Sequence, residues 1–107
     1  MHGYEVWIEA EHWSAGQWLP RNANSDVVVT FADGRRWAAT FFSYENINAM
    51  RLKNQETGEC LGGRYFWATD LVLVDEVSRR RIEAVVADLL TSGEFQSAFK
   101  SVDGASA

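Results

Sequence analysis

Few side chains in this sequence suit catalysis or metal binding. The histidines are His2, near the first residue, and His12, in a predicted loop, and the one cysteine is Cys60. No Cys-x-x-Cys pair and no pair of histidines on one helical turn occurs, so the ligand spacing of a structural zinc site is not found. We therefore expect no bound metal, no cofactor and no catalytic residue, and we interpret the protein as a non-enzyme.

Cys60 lies in a predicted turn that continues into a glycine-rich run, Leu61–Arg64. A nucleophilic thiolate needs a positive charge or a base close to it, and the sequence indicates neither, so we interpret Cys60 as chemically inert. The glycine-rich run has the composition of a phosphate-binding loop. It precedes a predicted strand, however, so no helix N-terminus would point toward an anion.

Two charged features need an explanation: Asp70 within an apolar segment, and Arg79–Arg81 at the start of a predicted helix. A carboxylate among apolar residues is costly without a cation or a donor, so Asp70 is either a functional carboxylate or, as we favour, a residue that pairs with an arginine or faces a sheet edge. Exposed arginines at a helix N-terminus cost about 0.3–1 kcal/mol each. They either bind an anion or are neutralised by Asp75, Glu76 or Glu83, and we favour neutralisation.

Five tryptophans is a high number for a chain of 107 residues. Trp37 and Trp67 fall in strand-like segments and are predicted to be core residues. The other three either form an exposed patch or fold back over the sheet. Acidic side chains beside tryptophan suit a contact with a basic, partly apolar protein. The candidate partner-binding residues are therefore Glu5, Trp7, Glu9, Glu11, Trp13 and Trp18.

The chain is acidic, with a net charge of -5, which makes nucleic acid a poor partner and a basic protein the expected one. Its hydrophobic content of 47% is sufficient for a folded core. No apolar run reaches the roughly 18 residues of a membrane helix, and the first residues lack the pattern of a signal peptide. The lone cysteine cannot form an internal disulfide. We therefore expect a cytoplasmic protein without a membrane anchor.

The first half of the chain predicts three strands. Residues 4–11 alternate, which predicts a strand with Glu5, Trp7, Glu9 and Glu11 on its outer face, and residues 12–25 predict a long loop. Residues 26–32 and 35–42 predict a hairpin around Asp33 and Gly34. Of the two possible loops, the three-residue loop 32–34 pairs Val29 with Trp37 and collects the apolar residues on one face. We therefore favour that register.

The second half predicts two main helices around one more strand. Ser43 is expected to cap a helix that begins at Tyr44 and fades near Asn54, and residues 65–74 predict a strand so apolar that it lies centrally in the sheet. Ser78 caps the clearest helix. Its apolar stripe consists of Ile82, Val85, Val86, Leu89 and Leu90, and residues 95–99 add a short helical turn.

The predicted order is therefore β-β-β-α-β-α. It indicates an α+β fold with a mainly antiparallel sheet of about four strands and helices on one face. Residues 1–101 would form a single domain, and 102–107 a mobile tail.

Three segments together resemble a group of small uncharacterised bacterial proteins. They are TFADGRRWAATFF at 30–42, GECLGGRYFWATD at 58–70, and the helical stretch 82–99. Proteins of this size, charge and architecture also resemble bacterial immunity proteins, which neutralise a toxin from a neighbouring cell. The resemblance implies a small acidic protein-binding module whose basic partner is a toxin domain. The alternative is a small-molecule or peptide binder that uses a cleft lined by tryptophan.

Overall fold

The structure, a computed structural model, describes residues 3–13 and 18–102. Its strands are β1 Tyr4–Ile8, β2 Asn24–Phe31, β3 Arg36–Ser43, β4 Leu71–Val74 and β5 Lys100–Ser101. Its α-helices are α1 Tyr44–Thr57, α3 Arg79–Ser92 and α4 Phe95–Ala98, and a short 3-10 helix, Glu9–His12, follows β1. The short element α2, Glu59–Gly63, is a helical turn with left-handed backbone at Cys60, Leu61 and Gly62. The predicted α+β class and element order are confirmed, with β5, the short α2 and the 3-10 helix as additions.

The strands form one sheet in the order β1-β2-β3-β4, with β5 paired to the first half of β3. The pairs β1–β2, β2–β3 and β3–β5 are antiparallel, and β4 runs parallel to β3 because α1 and α2 carry the chain back to the same end of the sheet. The predicted, mainly antiparallel sheet is therefore correct.

The hairpin between β2 and β3 has the predicted three-residue loop. Val29 pairs with Trp37 and Val27 with Ala39, and the N–H of Phe31 donates to the Arg35 carbonyl at 2.9 Å. Gly34 has a φ of 89°, the left-handed conformation that closes the bulged loop. Local turn chemistry and the apolar pattern on both strands specify the same register.

Replacing Gly34 with valine should lower the free energy of unfolding by more than about 1 kcal/mol, because a β-branched residue disfavours a positive φ. A Cβ at this position would meet no atom within 4 Å, so the expected loss comes from the backbone conformation alone. Urea denaturation measures the change. A variant as stable as the parent protein would show that the loop can adopt another conformation at little cost.

The first strand is shorter than predicted. It ends at Ile8, and the predicted continuation through Glu11 is wrong because the chain turns into the 3-10 helix. That turn buries Ala10, which is 2% exposed and whose N–H donates to the Ser25 hydroxyl at 3.0 Å. The alternating pattern continues in the sequence, but this contact with β2 takes the backbone out of the sheet.

The predicted central strand 65–74 is also wrong. Only Leu71–Val74 is a strand, and it lies at the edge of the sheet. Asp70 precedes it in a turn with a φ of 52°, which interrupts the extended backbone, and its carbonyl accepts a hydrogen bond from the N–H of Thr40 at 3.0 Å. Trp67 is 70% exposed, so its assignment to the core is wrong, whereas Trp37 packs against the core as predicted.

The helices begin where the sequence predicts. The hydroxyl of Ser43 accepts a hydrogen bond from Asn46 N–H and that of Ser78 accepts one from Arg81 N–H, each capping a helix N-terminus. On α3, Ile82 and Val86 are fully buried against the sheet. Leu90 of the predicted stripe is 37% exposed, so the buried face is narrower than the pattern indicates.

The core lies between one face of the sheet and the helices α3 and α4. Its buried members are Ile8, Ala10, Ala23, Val27, Val29, Ala39, Phe41, Val74, Val77, Ile82, Val86, Phe95 and Phe99. The helical layer over this face consists of α3 and α4. The sequence also predicted α1 there, but no residue of α1 belongs to this cluster in the described part of the chain.

Every helix in the described part of the chain is too short or too polar to cross a membrane. Of the predicted tail, Val102 donates its N–H to the Arg36 carbonyl at 3.0 Å, and residues 103–107 lie outside the described residues.

Candidate binding surface

We call the sheet face opposite α3 and α4 the outer face. Ile8 of β1 points into the core, so alternation places Glu5 and Trp7 on the outer face, as the sequence predicts. Trp7 pairs with Val28 of β2, Val28 pairs with Ala38 of β3, and Ala38 pairs with Lys100 of β5. The outer face therefore has a row of side chains across four strands, with a large indole beside two short apolar residues.

The short side chains next to Trp7 leave a shallow depression of about 540 Å³ on the outer face. Trp7 forms one wall, and Val28 and Ala38 supply apolar lining. The hydroxyl of Thr40 donates to the Asp26 carboxylate at 3.1 Å, which orients a negative group at the margin. The complete lining is Trp7, Asp26, Val28, Ala38, Ala39, Thr40, Thr69, Asp70, Lys100, Ser101 and Val102.

Trp7 is held in place although it is 44% exposed. Its indole stacks on the imidazole of His12, with ring centroids 5.4 Å apart and planes inclined by 20°. The strand holds the backbone of Trp7, and His12 of the 3-10 helix supplies the ring on which the indole stacks. A side chain that is already ordered loses less conformational entropy when a partner covers it, which favours its use as an anchor.

The charges around the depression are mainly negative. Asp26 and Asp70 line it opposite Lys100. Glu5 lies on the same face, paired with Thr30, and the Glu9 carboxylate accepts a hydrogen bond from Asp26 N–H at 3.4 Å. Arg36 is the other basic residue that alternation places on the outer face. Arg79 lines a neighbouring cavity with Glu5 and Trp7, but its charge is offset by Glu11 and Glu83. Among the described residues around the depression, carboxylates therefore outnumber the remaining cations.

Glu11 is not on the outer face. Its carboxylate accepts two hydrogen bonds from the Arg79 guanidinium, both at 2.7 Å, and Arg79 also contacts Glu83 at 2.7 Å. The hydrogen bonds from Arg79, helped by its positive charge, hold the pKa of Glu11 below its usual range against the opposing effect of burial. Sequence reasoning missed this pair because the two residues are 68 positions apart.

The arginines at the start of α3 are neutralised within the protein, as favoured above. Arg80 contacts Glu76 at 3.4 Å, Arg81 contacts Asp75 at 2.8 Å, and the third arginine, Arg79, has the partners just described. These ion pairs offset the unfavourable interaction of the cations with the helix dipole. The structure therefore offers no support for an anion site there.

Trp13 and Trp18 belong to the inner side of the fold. Both pack against the hydrophobic core, and the indole N–H of Trp18 donates to the Val77 carbonyl at 2.8 Å. Of the predicted set, the structure therefore brings together Glu5, Trp7 and Glu9. It adds Asp26, Val28, Ala38 and Thr40, which the hairpin register already implied, because they alternate with the core residues of β2 and β3.

Replacing Glu11 with glutamine should lower stability at neutral pH by less than about 1 kcal/mol, because the pair is partly exposed. The folded-state pKa of Glu11 lies below the ordinary value of 4.5, so its contribution is present above pH 4.5 and is lost as the pH falls through the folded-state pKa. Urea denaturation at pH 7 and pH 3 checks this, with Glu56→Gln as an exposed control. An equal difference between parent and variant at both pH values would contradict it.

The remaining chemistry-bearing residues do not assemble into a site. The described residues contain no group of three metal-ligating side chains, and Cys60 is half-buried in the left-handed turn of α2. Asp70 lies at the margin of the depression, and His2 lies outside the described residues.

Comparison with protein-family models, with curated proteins and with solved structures gives no match.

Proposed function

We propose that this protein is a small acidic protein-binding module that binds a basic protein through its outer face. The observation that carries the proposal is the position of Trp7. It is 44% exposed in a row of apolar side chains on a sheet face that α3 and α4 leave uncovered, with carboxylates around it. Tryptophan is one of the residues enriched among those that contribute most of the binding energy in protein interfaces.

The shape of the surface favours a protein over a small molecule. A drug-sized ligand is usually held in a pocket that covers most of its surface. Here Trp7 is the one tryptophan that lines the depression among the described residues, and Trp13 and Trp18 pack against the core. A shallow surface with one aromatic wall suits a protruding side chain of a partner, and the surrounding carboxylates would attract a basic surface during association.

The partner class that we propose is a toxin domain, with this protein as its immunity protein in the cytoplasm. A toxin that acts on nucleic acid must present positive charge to phosphates. An acidic module with an ordered tryptophan is complementary to such a surface, and binding alone would block access to the substrate. The module itself then requires no catalytic residue.

Binding to the products of the neighbouring genes tests this proposal. The purified protein is titrated with each product by calorimetry, and a complex is expected with one of them. Trp7→Ala should raise the Kd of that complex about tenfold or more, equivalent to about 1.4 kcal/mol. Tyr44→Ala is the control, since Tyr44 is also an exposed aromatic residue, at 59%, but does not line the depression. A complex with neither product would contradict the immunity role.

The electrostatic part of the proposal has its own test. Glu5→Lys should slow association and weaken its dependence on salt concentration, because it reverses a charge on the outer face. Glu56→Lys, an exposed position in the last turn of α1, should change the association rate less. A complex that is indifferent to both Trp7→Ala and Glu5→Lys would preserve the binding function and place its site on another surface.

A further inference from the structure

The two edges of the sheet differ in a way that the proposed binding function does not explain. At the free edge of β1, the Arg79 guanidinium donates a hydrogen bond to the Val6 carbonyl at 2.9 Å. Glu11 and Glu83 hold this guanidinium in place. A charged side chain fixed across an edge strand is a common protection against pairing with another strand, so the β1 edge is guarded.

The edge of β4 has no such protection among the described residues. The Asp70 carbonyl accepts from Thr40 of β3, so the peptide groups of Leu71 and Leu73 alternate to the side that faces away from β3. No described strand pairs with that side, and no described loop forms a main-chain hydrogen bond to it. The strand reads Leu-Val-Leu-Val without a charge, and Leu73 is 40% exposed.

We infer that β4 pairs antiparallel with β4 of a second copy of this chain, about a two-fold axis at Val72. In this register Leu71 of one copy is opposite Leu73 of the other, and the outward peptide groups of both residues form reciprocal hydrogen bonds. The two Val72 residues face each other as a close pair without mutual hydrogen bonds. Asp70 lies opposite the second copy's Val74, so like charges do not meet.

The contrast between the edges identifies the occupant as a second copy. If β4 paired with the β1 edge of another copy, each dimer would leave a free edge of each kind and growth would continue into a filament. Arg79 blocks that pairing. When β4 pairs with β4, the unprotected edges of both copies are used. The edges that remain at the two ends of the joined sheet are the β1 edges that Arg79 protects, so the assembly stops at a dimer.

Exposed aromatic residues precede β4 in the chain. Tyr65 and Trp67 are 52% and 70% exposed and lie within a few residues of Leu71. A stable interface buries about 1,200–2,000 Å² in total, which is more than one short strand pair provides. These aromatic residues are the natural source of the additional area.

Multi-angle light scattering over a concentration series tests the inference directly. The parent protein is expected to reach twice the mass of one chain. Leu73→Lys should raise the dimer Kd about tenfold or more, because it places a charge on the paired edge strand and removes the apolar contact with Leu71 of the second copy. Leu90→Lys is the control, since Leu90 is an equally exposed leucine at 37% that lies on α3. Circular dichroism shows whether each variant is folded.

Disulfide formation tests the register without disturbing the apolar edge. In a Cys60→Ser background, Val72→Cys should form a covalent dimer on mild oxidation, because facing residues of a close pair lie about 4.5 Å apart at Cα. Leu71→Cys should not, because the two copies of this residue would be about 7–8 Å apart on a diagonal. A parent protein that is monomeric at every concentration would overturn the inference, as would a dimer that Leu73→Lys leaves intact. An edge covered only by a different protein would also overturn it.

Discussion

Replacing Phe99 with alanine is expected to lower the free energy of unfolding by about 3–5 kcal/mol. Phe99 is 2% exposed and follows α4, where it joins that helix to the sheet. Its ring stacks on Phe95 with centroids 4.4 Å apart and meets Phe41 of β3 edge-on at 5.9 Å. The truncation would leave a cavity between three elements that cannot easily close around it.

Urea denaturation followed by circular dichroism measures this loss. Gln96→Ala is the matched control, because Gln96 is an exposed residue of the same helix and alanine is a good helix former, so its effect should stay within about 0.5 kcal/mol. Similar effects of the two substitutions would mean that α4 contributes little to the core.

The second large effect is expected at Gly63. This residue has a φ of 84°, and a Cβ there would lie 2.5 Å from the carbonyl oxygen of Arg51, in the backbone of α1. Gly63→Ala therefore combines a left-handed alanine, about 1–2 kcal/mol, with a displacement of one helix against the other, about 1–3 kcal/mol. We expect a total loss of about 2–5 kcal/mol.

Gly62 provides the control for this prediction. It also has a positive φ, of 70°, but the nearest atom to its Cβ would be the flexible end of Arg64 at 3.7 Å. Gly62→Ala should therefore show the backbone cost without the clash. Equal losses from Gly62→Ala and Gly63→Ala in urea denaturation would contradict the close approach of α2 to α1.

Features specified by neighbouring residues could be predicted from the sequence. The hairpin loop depends on Gly34 and on apolar residues that face one another across β2 and β3, and both helix starts depend on a serine followed by helical residues. In each case the residues that determine the geometry lie within a few positions of one another, so the local sequence pattern was sufficient to predict the structure.

Features decided by distant contacts could not be predicted in this way. β1 ends because Ala10 bonds to Ser25, and residues 65–70 leave the strand conformation at the left-handed Asp70, although their apolar pattern favours a strand. β5 has two residues, too few for any periodicity.

For the candidate site, the alternation in β1 placed Glu5 and Trp7 on the outer face. It did not show that Glu11 is bound to Arg79 or that Trp18 reaches Val77, because these contacts join segments far apart in the chain. The other half of the surface, Val28 and Ala38, follows from the hairpin register as the outward positions between core residues. A surface that spans several strands can therefore be predicted when the register is used to assign the residues of both sheet faces.

The two proposed surfaces are compatible. The outer face is centred on β1–β3 and the inferred dimer uses the edge of β4, so the two surfaces adjoin at Asp70 and the dimer leaves Trp7 uncovered. A two-fold axis between antiparallel strands places equivalent faces on the same side of the joined sheet. A dimer would then present two copies of Trp7 in one direction, which would strengthen binding to a partner that is itself multivalent.

A nuclear magnetic resonance titration can show whether the outer face is the surface that binds the partner. The isotope-labelled protein is titrated with the neighbouring-gene product that forms a complex, and amide and indole shifts are followed residue by residue. We expect the largest changes at Glu5, Trp7, Val28 and Ala38, with α3 little affected. Changes confined to α3, or to α1 and the segment 65–67, would contradict it.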